Sequence, residues 1–563
     1  MNESGACILR KDGTVLLECA HPGFAEARTL LAGCAELLKS LPAYHTYRIT
    51  PLSLWNAAAA GHGGEAILAG LRRIARFGVS PELEAQIRLQ AGRYGRLRLH
   101  GAAADPAARI TLQADHAALL DELEQQPALA ALGLRRTGAS AAEAPAQLRG
   151  QLKQELARLG YPVVDEAGYR EGQALSVVWR GGSASGGPGA FALRDYQAEA
   201  LRLFQGIGGS GVVVLPCGAG KTVVGLAVLE KLQCETLILT SSSTSVAQWR
   251  AELLARTELA PEEIGEYTGT SREVKPVTVA TYQMLTHRSS KTGPFAHMRL
   301  FNERNWGLII YDEVHLLPAP VFRATAEIQA TRRLGLTATL VREDGREGDV
   351  FSLIGPKCYE LPWKTLESAG WIAGVECTEL TVPMDAALRG RYRTAGAKEQ
   401  FRLASVNPAK TEAAARLVAA HPGAAVLVIG QYLDQLEQLA ARLGAPLITG
   451  KTPHKTRVER FTDFNEGRLR VLVVSKVANF AVNLPDASVA IEVSGAFGSR
   501  QEEAQRLGRI LRPKNGENKA YFYTLVSEDS REQEFALHRR LFLTEQGYDY
   551  KIEPAEPEKE ATL

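Results

Sequence analysis

Between Leu215 and Thr222 the chain reads Leu215-Pro216-Cys217-Gly218-Ala219-Gly220-Lys221-Thr222. Ninety-one positions after Lys221 come two adjacent carboxylates, Asp312 and Glu313. Small residues let backbone N–H groups converge on a phosphate, and a helix starting there adds partial positive charge. Lys221 would then reach the β- and γ-phosphates, while the Thr222 hydroxyl takes one position on Mg²⁺. Asp312 would hold the metal's shell, and Glu313 would orient and deprotonate an attacking water. Together these residues spell hydrolysis of ATP with Mg²⁺. A strict phosphate-loop pattern asks for Gly at position 215, where the chain has Leu. Taken alone, the loop also reads as an ordinary glycine turn ahead of a helix, and Asp-Glu as a strand ending at a charged turn.

Other candidates lie around these two. Arg194 and Gln197 precede the loop in Leu193-Arg194-Asp195-Tyr196-Gln197. A glutamine amide can bond both the donor and the acceptor edge of adenine, so Gln197 could select the base. Ser241, Ser242, Gln248 and Trp249 follow an apolar run; such groups suit the phosphates of a polymer, or cap a helix. Thr281 ends another apolar run, and Thr337 and Thr339 end a third, where they could couple the γ-phosphate to a nucleic-acid path. Arg342, Glu343 and Asp344 form a charged loop directly afterwards. Arg391, Arg393 and Phe401 lie in a stretch that interleaves cations with aromatics. That pattern suits single-stranded nucleic acid, or the basic face of an amphipathic helix. Gln505 and Arg506 are followed by Arg509 and Arg512; the arginines recur every three residues, on roughly one helical face. Their fixed guanidinium forks suit phosphate oxygens.

The elements that must position these groups follow from periodicity. Apolar runs at Val212–Leu215, Thr236–Thr240, Thr278–Tyr282, Leu308–Tyr311 and Leu334–Thr339 read as buried strands alternating with helices. The alternation resumes at Ala424–Ile429, Val471–Lys476 and Val489–Val493. An α/β fold with parallel sheets is expected. In the first third, Val15–Glu18 reads as a strand, and Ala25 to Leu38 has helical spacing. Thr50-Pro51 and Ser80-Pro81 pair a cap with a first-turn proline and start helices ending near Gly61 and Gly92; another helix covers Glu65 to Phe77. A hairpin follows at Arg96–Leu99 and Arg109–Leu112, so this part is α+β and of winged-helix type. Arg72, Arg73, Arg76, Arg88, Arg93, Arg96 and Arg98 could form a phosphate-contacting face. With no aromatic or Asn/Gln pattern beside them, a solvated or docking surface is slightly favoured. Residues 138–147 read as a connector, Gln151–Leu159 as a helix and Ala174–Trp179 as a strand. Expected domains are 1–137, 148–180, a Gly/Ser linker at 181–190, motor domains at 191–370 and 371–545, and a tail at 546–563.

With 563 residues, 45% hydrophobic and 23% charged, the chain has the composition of a soluble multidomain protein. A net charge of +2 neither demands nor excludes nucleic acid, since a groove can be locally basic. Seven scattered cysteines without a C-x-x-C give neither a disulfide framework nor a zinc site. No signal peptide or membrane span is expected, which points to a cytoplasmic protein.

The order Leu-Arg-Asp-Tyr-Gln, Leu-Pro-Cys-Gly-Ala-Gly-Lys-Thr, Asp-Glu-Val-His and Leu-Gly-Leu-Thr-Ala-Thr-Leu-Val-Arg-Glu-Asp resembles a superfamily 2 helicase, and more narrowly the XPB family. The resemblance covers about 190–550 strongly, and His45–Leu52 is similar to the N-terminal part of microbial members. It implies two RecA-like motor domains with ATP between them, and a thumb-like insertion near 385–405. It also implies a DNA-unwinding role for Arg342-Glu343-Asp344 and arginine fingers at Arg509 and Arg512. The implied activity is ATP-dependent, 3′-5′ DNA unwinding in excision repair or transcription-linked repair. Single-stranded, forked or duplex DNA would be the partner, alongside a nuclease or repair or transcription protein, in a nucleoid-associated, prokaryote-like setting. Where the family has Gly-Asp and Asp-Leu-Pro, this chain has Ala478-Asn479 and Asn483-Leu484-Pro485, so coupling through that motif can differ. Two rival readings stand beside the helicase: a duplex-DNA translocase that separates no strands, and an ATP-switched recognition or assembly subunit.

Overall fold

A computed structural model of the chain describes residues 5–40, 43–101, 109–180, 192–216, 218–288, 295–329, 331–338, 347–361, 363–475, 487–495, 518–545, 548 and 550–555. It divides into two compact units. The first comprises Met1–Leu215 and Gly220–Leu361; the second comprises Pro362–Leu563 together with Pro216–Ala219.

The chain opens with a four-stranded antiparallel sheet of order β1-β2-β4-β3. Its strands are β1 (Cys7–Leu9), β2 (Thr14–Glu18), β3 (Glu36–Ser40) and β4 (Tyr44–Arg48). Helices Phe24–Cys34, Pro51–Ala59, Gly64–Ile74 and Pro81–Arg93 accompany it. Thr50 and Ser80 are the expected caps: their hydroxyls accept from the N–H groups of Ser53 and Leu83. The expected helix from Ala25 to Leu38 stops at Cys34, because the Ser53 hydroxyl takes the Cys34 carbonyl and β3 pairs with β4.

The next sheet has five strands in the order β7-β8-β6-β5-β9. They are β5 (Leu97–Gly101), β6 (Arg109–Ala114), β7 (Arg135–Arg136), β8 (Ala141–Pro145) and β9 (Val163–Asp165). The hairpin is therefore the middle of a sheet rather than the wing of a helical trio. Residues 141–145, expected in a connector, form a strand whose Ala142 and Ala144 are fully buried. Alanine's weak strand preference hid it. The candidate arginines of this region are held by neighbours. Arg72, Arg73, Arg76, Arg88, Arg96 and Arg98 ion-pair with Glu84, Glu26, Glu18, Glu65, Asp115 and Glu166, and Arg93 stacks on Tyr161. That favours the solvated or docking surface.

Helix Arg149–Arg158 packs on the rest of the first unit, against helices Ala319–Glu327 and Glu347–Leu353. Gly150 permits this approach, since a Cβ there would lie 2.3 Å from the Ala326 carbonyl oxygen. Residues 172–180 form a strap and not the expected strand. Gln173, Leu175 and Arg180 donate to Asn305, Gln233 and Arg256 across the ends of neighbouring elements, with single bridges at Ala174 and Trp179.

The remainder of the first unit is a seven-stranded parallel sheet, order β12-β13-β11-β14-β15-β10-β16. The strands are β10 (Ser210–Val214), β11 (Thr236–Thr240), β12 (Ile264–Tyr267), β13 (Val277–Thr281), β14 (Leu308–Asp312), β15 (Arg332–Thr337) and β16 (Lys357–Glu360). β10, β11 and β13 are buried at every position, which explains their unbroken apolar runs. The second unit carries another seven-stranded parallel sheet, order β19-β20-β18-β21-β22-β17-β23. It comprises β17 (Gly374–Val382), β18 (Val426–Gly430), β19 (Leu447–Ile448), β20 (Val471–Ser475), β21 (Val489–Glu492), β22 (Lys519–Ser527) and β23 (Tyr550–Pro554). Both sheets are RecA-like, as the alternating pattern requires.

Candidate active site

Parallel register decides where the chemistry-bearing residues meet. Val214 pairs with Thr337, Thr240 with Thr281, and Asp312 with Leu336. The C-terminal ends of β10, β11, β13, β14 and β15 thus form one edge of the sheet, the edge where open α/β sheets place ligands.

At the end of β10 the chain turns through Gly218 (φ +83°) and Gly220 (φ +80°) into helix Lys221–Leu232. Both glycines occupy the left-handed region that side chains rarely adopt. Gly220 is required twice over, because a Cβ would also lie 2.6 Å from Gln197 Nε2. Gln197 is buried, its Oε1 accepts the Arg194 N–H at 3.0 Å, and Arg194 Nη1 donates to the Tyr196 hydroxyl. The structure thus brings Gln197 against the glycine loop. Lys221 and Thr222 open the helix, half-buried, with Lys221 Nζ 3.4 Å from the Leu215 carbonyl oxygen. Pro216 and Ala219 are buried, and Cys217 lies outside the described residues.

Asp312 ends β14. Its Oδ2 accepts the indole N–H of Trp249 at 2.9 Å, its Oδ1 accepts the Glu313 N–H, and its carbonyl accepts the Tyr282 hydroxyl. Desolvation and the neighbouring Glu313 carboxylate push the Asp312 carboxyl up, against the lowering effect of the Trp249 bond and Lys221. A buried carboxylate with a second carboxylate beside it suits a hard divalent cation, and the Thr222 hydroxyl and Asp312 are the oxygen donors that could hold Mg²⁺. Glu313 takes φ +51°, uncommon for a residue with a side chain. Its Oε2 lies 3.6 Å from His315 Nδ1, which in turn stands 2.6 Å from Thr337 Oγ1. Glu313, His315 and Thr337 therefore form one chain of contacts from β14 to β15.

Several expected DNA contacts sit elsewhere. Trp249 is 1% exposed and positions Asp312, so it cannot stack on a base. Thr281 is buried, and its hydroxyl caps the next turn by accepting from the Met284 N–H. Thr337 is fully buried against His315. Phe401 is 2% exposed and meets Phe535 edge-on. Tyr392 is also buried, leaving Arg391 and Arg393 exposed on helix Ala386–Thr394 as its basic face. Ser242 caps helix Ser243–Arg256 through the Ser245 N–H, Ser241 is half-buried beside it, and Gln248 is exposed on that helix. Thr339, Arg342, Glu343, Asp344, Asn479, Asn483, Gln505, Arg506, Arg509 and Arg512 lie outside the described residues. His315 and Tyr282 received no role from sequence. Only the contacts that register creates reveal them.

Two RecA-like domains, the first with a glycine loop and paired carboxylates along one sheet edge, define a helicase-type motor. Residues 190–342 match the family described as "Type III restriction enzyme, res subunit", and 366–562 that described as "ERCC3/RAD25/XPB C-terminal helicase". Residues 7–138 match "Helicase conserved C-terminal domain". The chain is 50% identical over 553 residues to the "DNA 3'-5' helicase XPB" of Kineococcus radiotolerans, covering 98% of this chain and 97% of that one. It is 50% identical over 555 residues to the Mycobacterium tuberculosis protein of the same name, with 98% of each covered. It is 30% identical over 610 residues to the Saccharomyces cerevisiae "General transcription and DNA repair factor IIH helicase/translocase subunit XPB/SSL2", covering 97% of this chain and 71% of that one. The chain belongs to the XPB family of DNA helicases.

Proposed function

We propose that the chain is an ATP-dependent DNA helicase that tracks 3′ to 5′ and works in excision repair or transcription-linked repair. The observation that carries this reading is the shared sheet edge joining the glycine loop, Asp312-Glu313 and Thr337. The names of the two bacterial relatives, which match over nearly the whole length, supply the polarity. In this reading Gly218 to Thr222 cradle the phosphates, Lys221 neutralises them, and Gln197 with Arg194 selects adenine. Thr222 and Asp312 hold Mg²⁺, which when bound would neutralise charge on the phosphate oxygens. Glu313 takes the proton of the attacking water, and His315 between Glu313 and Thr337 fixes the base's position. Arg509 and Arg512 act as arginine fingers, with Gln505 and Arg506 nearby. Arg342, Glu343, Asp344, Thr339, Ser241, Ser242 and Gln248, with the exposed Arg391 and Arg393, serve the DNA path. A nuclease or transcription partner and a cytoplasmic, nucleoid-associated location complete the proposal. Among the described residues no helix is long and apolar enough to cross a membrane.

The test is ATPase rate with single-stranded DNA, duplex DNA and RNA, with strand displacement measured alongside. Lys221→Ala should abolish turnover, and Glu313→Gln should retain nucleotide binding yet hydrolyse nothing. Turnover that survives in Lys221→Ala would overturn the site. The words "helicase/translocase" in the yeast relative's name favour one second reading, translocation along duplex without strand separation. Triplex displacement without fork unwinding would select it.

A further inference from the structure

The meeting of the two N-terminal modules with the first motor sheet leaves a cavity of about 500 Å³. Its walls include Tyr94, Lys153, Asp165, Tyr169, Arg333 and Phe351, drawn from all three parts. It lies among the N-terminal ends of the motor strands: β10 contributes its first residue, Ser210, and β15 its second, Arg333, at the sheet edge opposite the glycine loop and Asp312.

Among the described residues, three buried cations gather beside this cavity around one buried carboxylate, Asp165. Arg149, Lys153 and Arg333 are 2%, 7% and 0% exposed. Asp165 faces two of them: it takes Arg149 through Nε and Nη2, and Lys153 Nζ at 2.8 Å. Lys153 also donates to Gln329 Oε1. Among the described residues the hydrogen-bond acceptors of the Arg333 guanidinium are carbonyl oxygens, of Leu353 for Nε and of Gln329 and Thr331 for Nη1. Its Nη2 is buried and has no acceptor among the described residues. Three guanidiniums, those of Arg149, Arg332 and Arg333, stand 5.3, 5.9 and 5.5 Å from the Tyr169 ring centroid. Glu166, the other carboxylate on the wall, is taken by Arg98. Burial drives Lys153 down to about 8 despite Asp165, with Arg333 and Arg149 adding to the effect.

A buried cation that meets no carboxylate directly is costly, and Asp165, already bonded to Arg149 and Lys153, acts on Arg333 only at a distance. The volume is that of a small-molecule site, and its wall is divided about evenly between polar and apolar surface. We propose that the cavity binds a small metabolite with an oxyanion head, phosphate or carboxylate, recognised by Arg333 and Lys153. Its body lies against Phe351, Ile207, Val163 and Val164. Binding there ties the N-terminal modules to the motor domain. This site stands independently of the assigned reaction.

The experiment is thermal unfolding of the full chain, with Mg²⁺ and a non-hydrolysable ATP analogue saturating the nucleotide site. Inorganic phosphate and citrate are titrated separately against chloride at matched ionic strength. A saturable rise in melting temperature with phosphate, citrate or both is expected, and the responding anion identifies the head group. Arg333→Met should weaken that response at least tenfold. Ala157→Leu, which fills the cavity from its wall and keeps every charge, should do the same and stands in if Arg333→Met does not fold. A rise no larger than chloride's, or an undiminished response in Ala157→Leu, overturns the proposal.

Discussion

Trp249→Phe should raise the Mg²⁺ requirement for ATP turnover without unfolding the chain. The indole N–H donates to Asp312 Oδ2 at 2.9 Å from a ring that is almost wholly buried. A hydrogen bond to a charged acceptor contributes about 1.5–3 kcal/mol, and phenylalanine keeps much of the ring while losing the donor. Removing it burdens a carboxylate whose ionisation is already opposed by desolvation and by Glu313. At about 1.4 kcal/mol per tenfold, the loss corresponds to roughly a 10- to 100-fold weaker hold on the metal, the usual range for a lost outer partner of a metal ligand. Gly225→Ala reaches the same end by another route. Its Cβ would lie 2.6 Å from Trp249 Cη2 and 3.4 Å from Leu336 Cδ1, so the indole must shift and carry its N–H with it. Alanine favours the helix over glycine by about 1 kcal/mol, so weakened activity could not be blamed on a frayed helix. The assay is DNA-stimulated ATPase at saturating ATP against Mg²⁺ concentration, with melting temperature recorded for each variant. Wild-type Mg²⁺ midpoints in two properly folded variants would refute the reasoning, because the bond would then have no bearing on the carboxylate proposed to hold the metal.

The remaining predictions concern stability. Lys410 and Glu532 form an ion pair at 2.7 Å with both side chains fully buried, so Lys410→Met should cost about 3–5 kcal/mol in urea unfolding of the second unit. Lys410→Met with Glu532→Leu should recover much of that loss; a single-variant cost below about 1 kcal/mol, the range of a surface pair, would contradict the assignment. Burial, with Arg28 adding to it, pushes the His45 imidazole from 6.5 down to about 4. The unfolded chain therefore binds this proton first, and stability should fall as pH drops from 6.5 towards 4, by at most about 1.4 kcal/mol per pH unit. His45→Gln should flatten that dependence, and equal pH slopes in both proteins would exclude His45 as the source.

The motor sheets were legible because parallel strands buried on both faces must be written as unbroken apolar runs. Val212-Val213-Val214, Leu237-Ile238-Leu239 and Leu308-Ile309-Ile310 have almost no other reading in an alternating chain. The N-terminal modules were less legible because alanine does much of their packing. Ala142 and Ala144 are as buried as any valine, yet carry little strand signal. Nothing local marks Gly150 as the point where helix Arg149–Arg158 meets Ala326, since the constraint lies 176 positions away.

At the site, residue type revealed the chemistry but not which way each group faces. Thr281 and Thr337 end strands in the same manner, and both hydroxyls serve the fold, one as a cap and the other as a partner for His315. A hydroxyl at a strand end looks identical in sequence whether it meets solvent, a ligand or a neighbouring backbone. The register of β14 against β15 separates these cases, by setting Asp312 opposite Leu336 and thereby Glu313 and His315 beside Thr337. Trp249 makes the same point with more consequence. Its place after a Ser/Thr run suggested a nucleic-acid contact, yet β11 and β14 are neighbours, so the helix after β11 carries the indole over the end of β14. The residue expected to touch DNA instead donates to the carboxylate proposed to bind the metal, which ties the helix after β11 to the end of β14 through a single N–H.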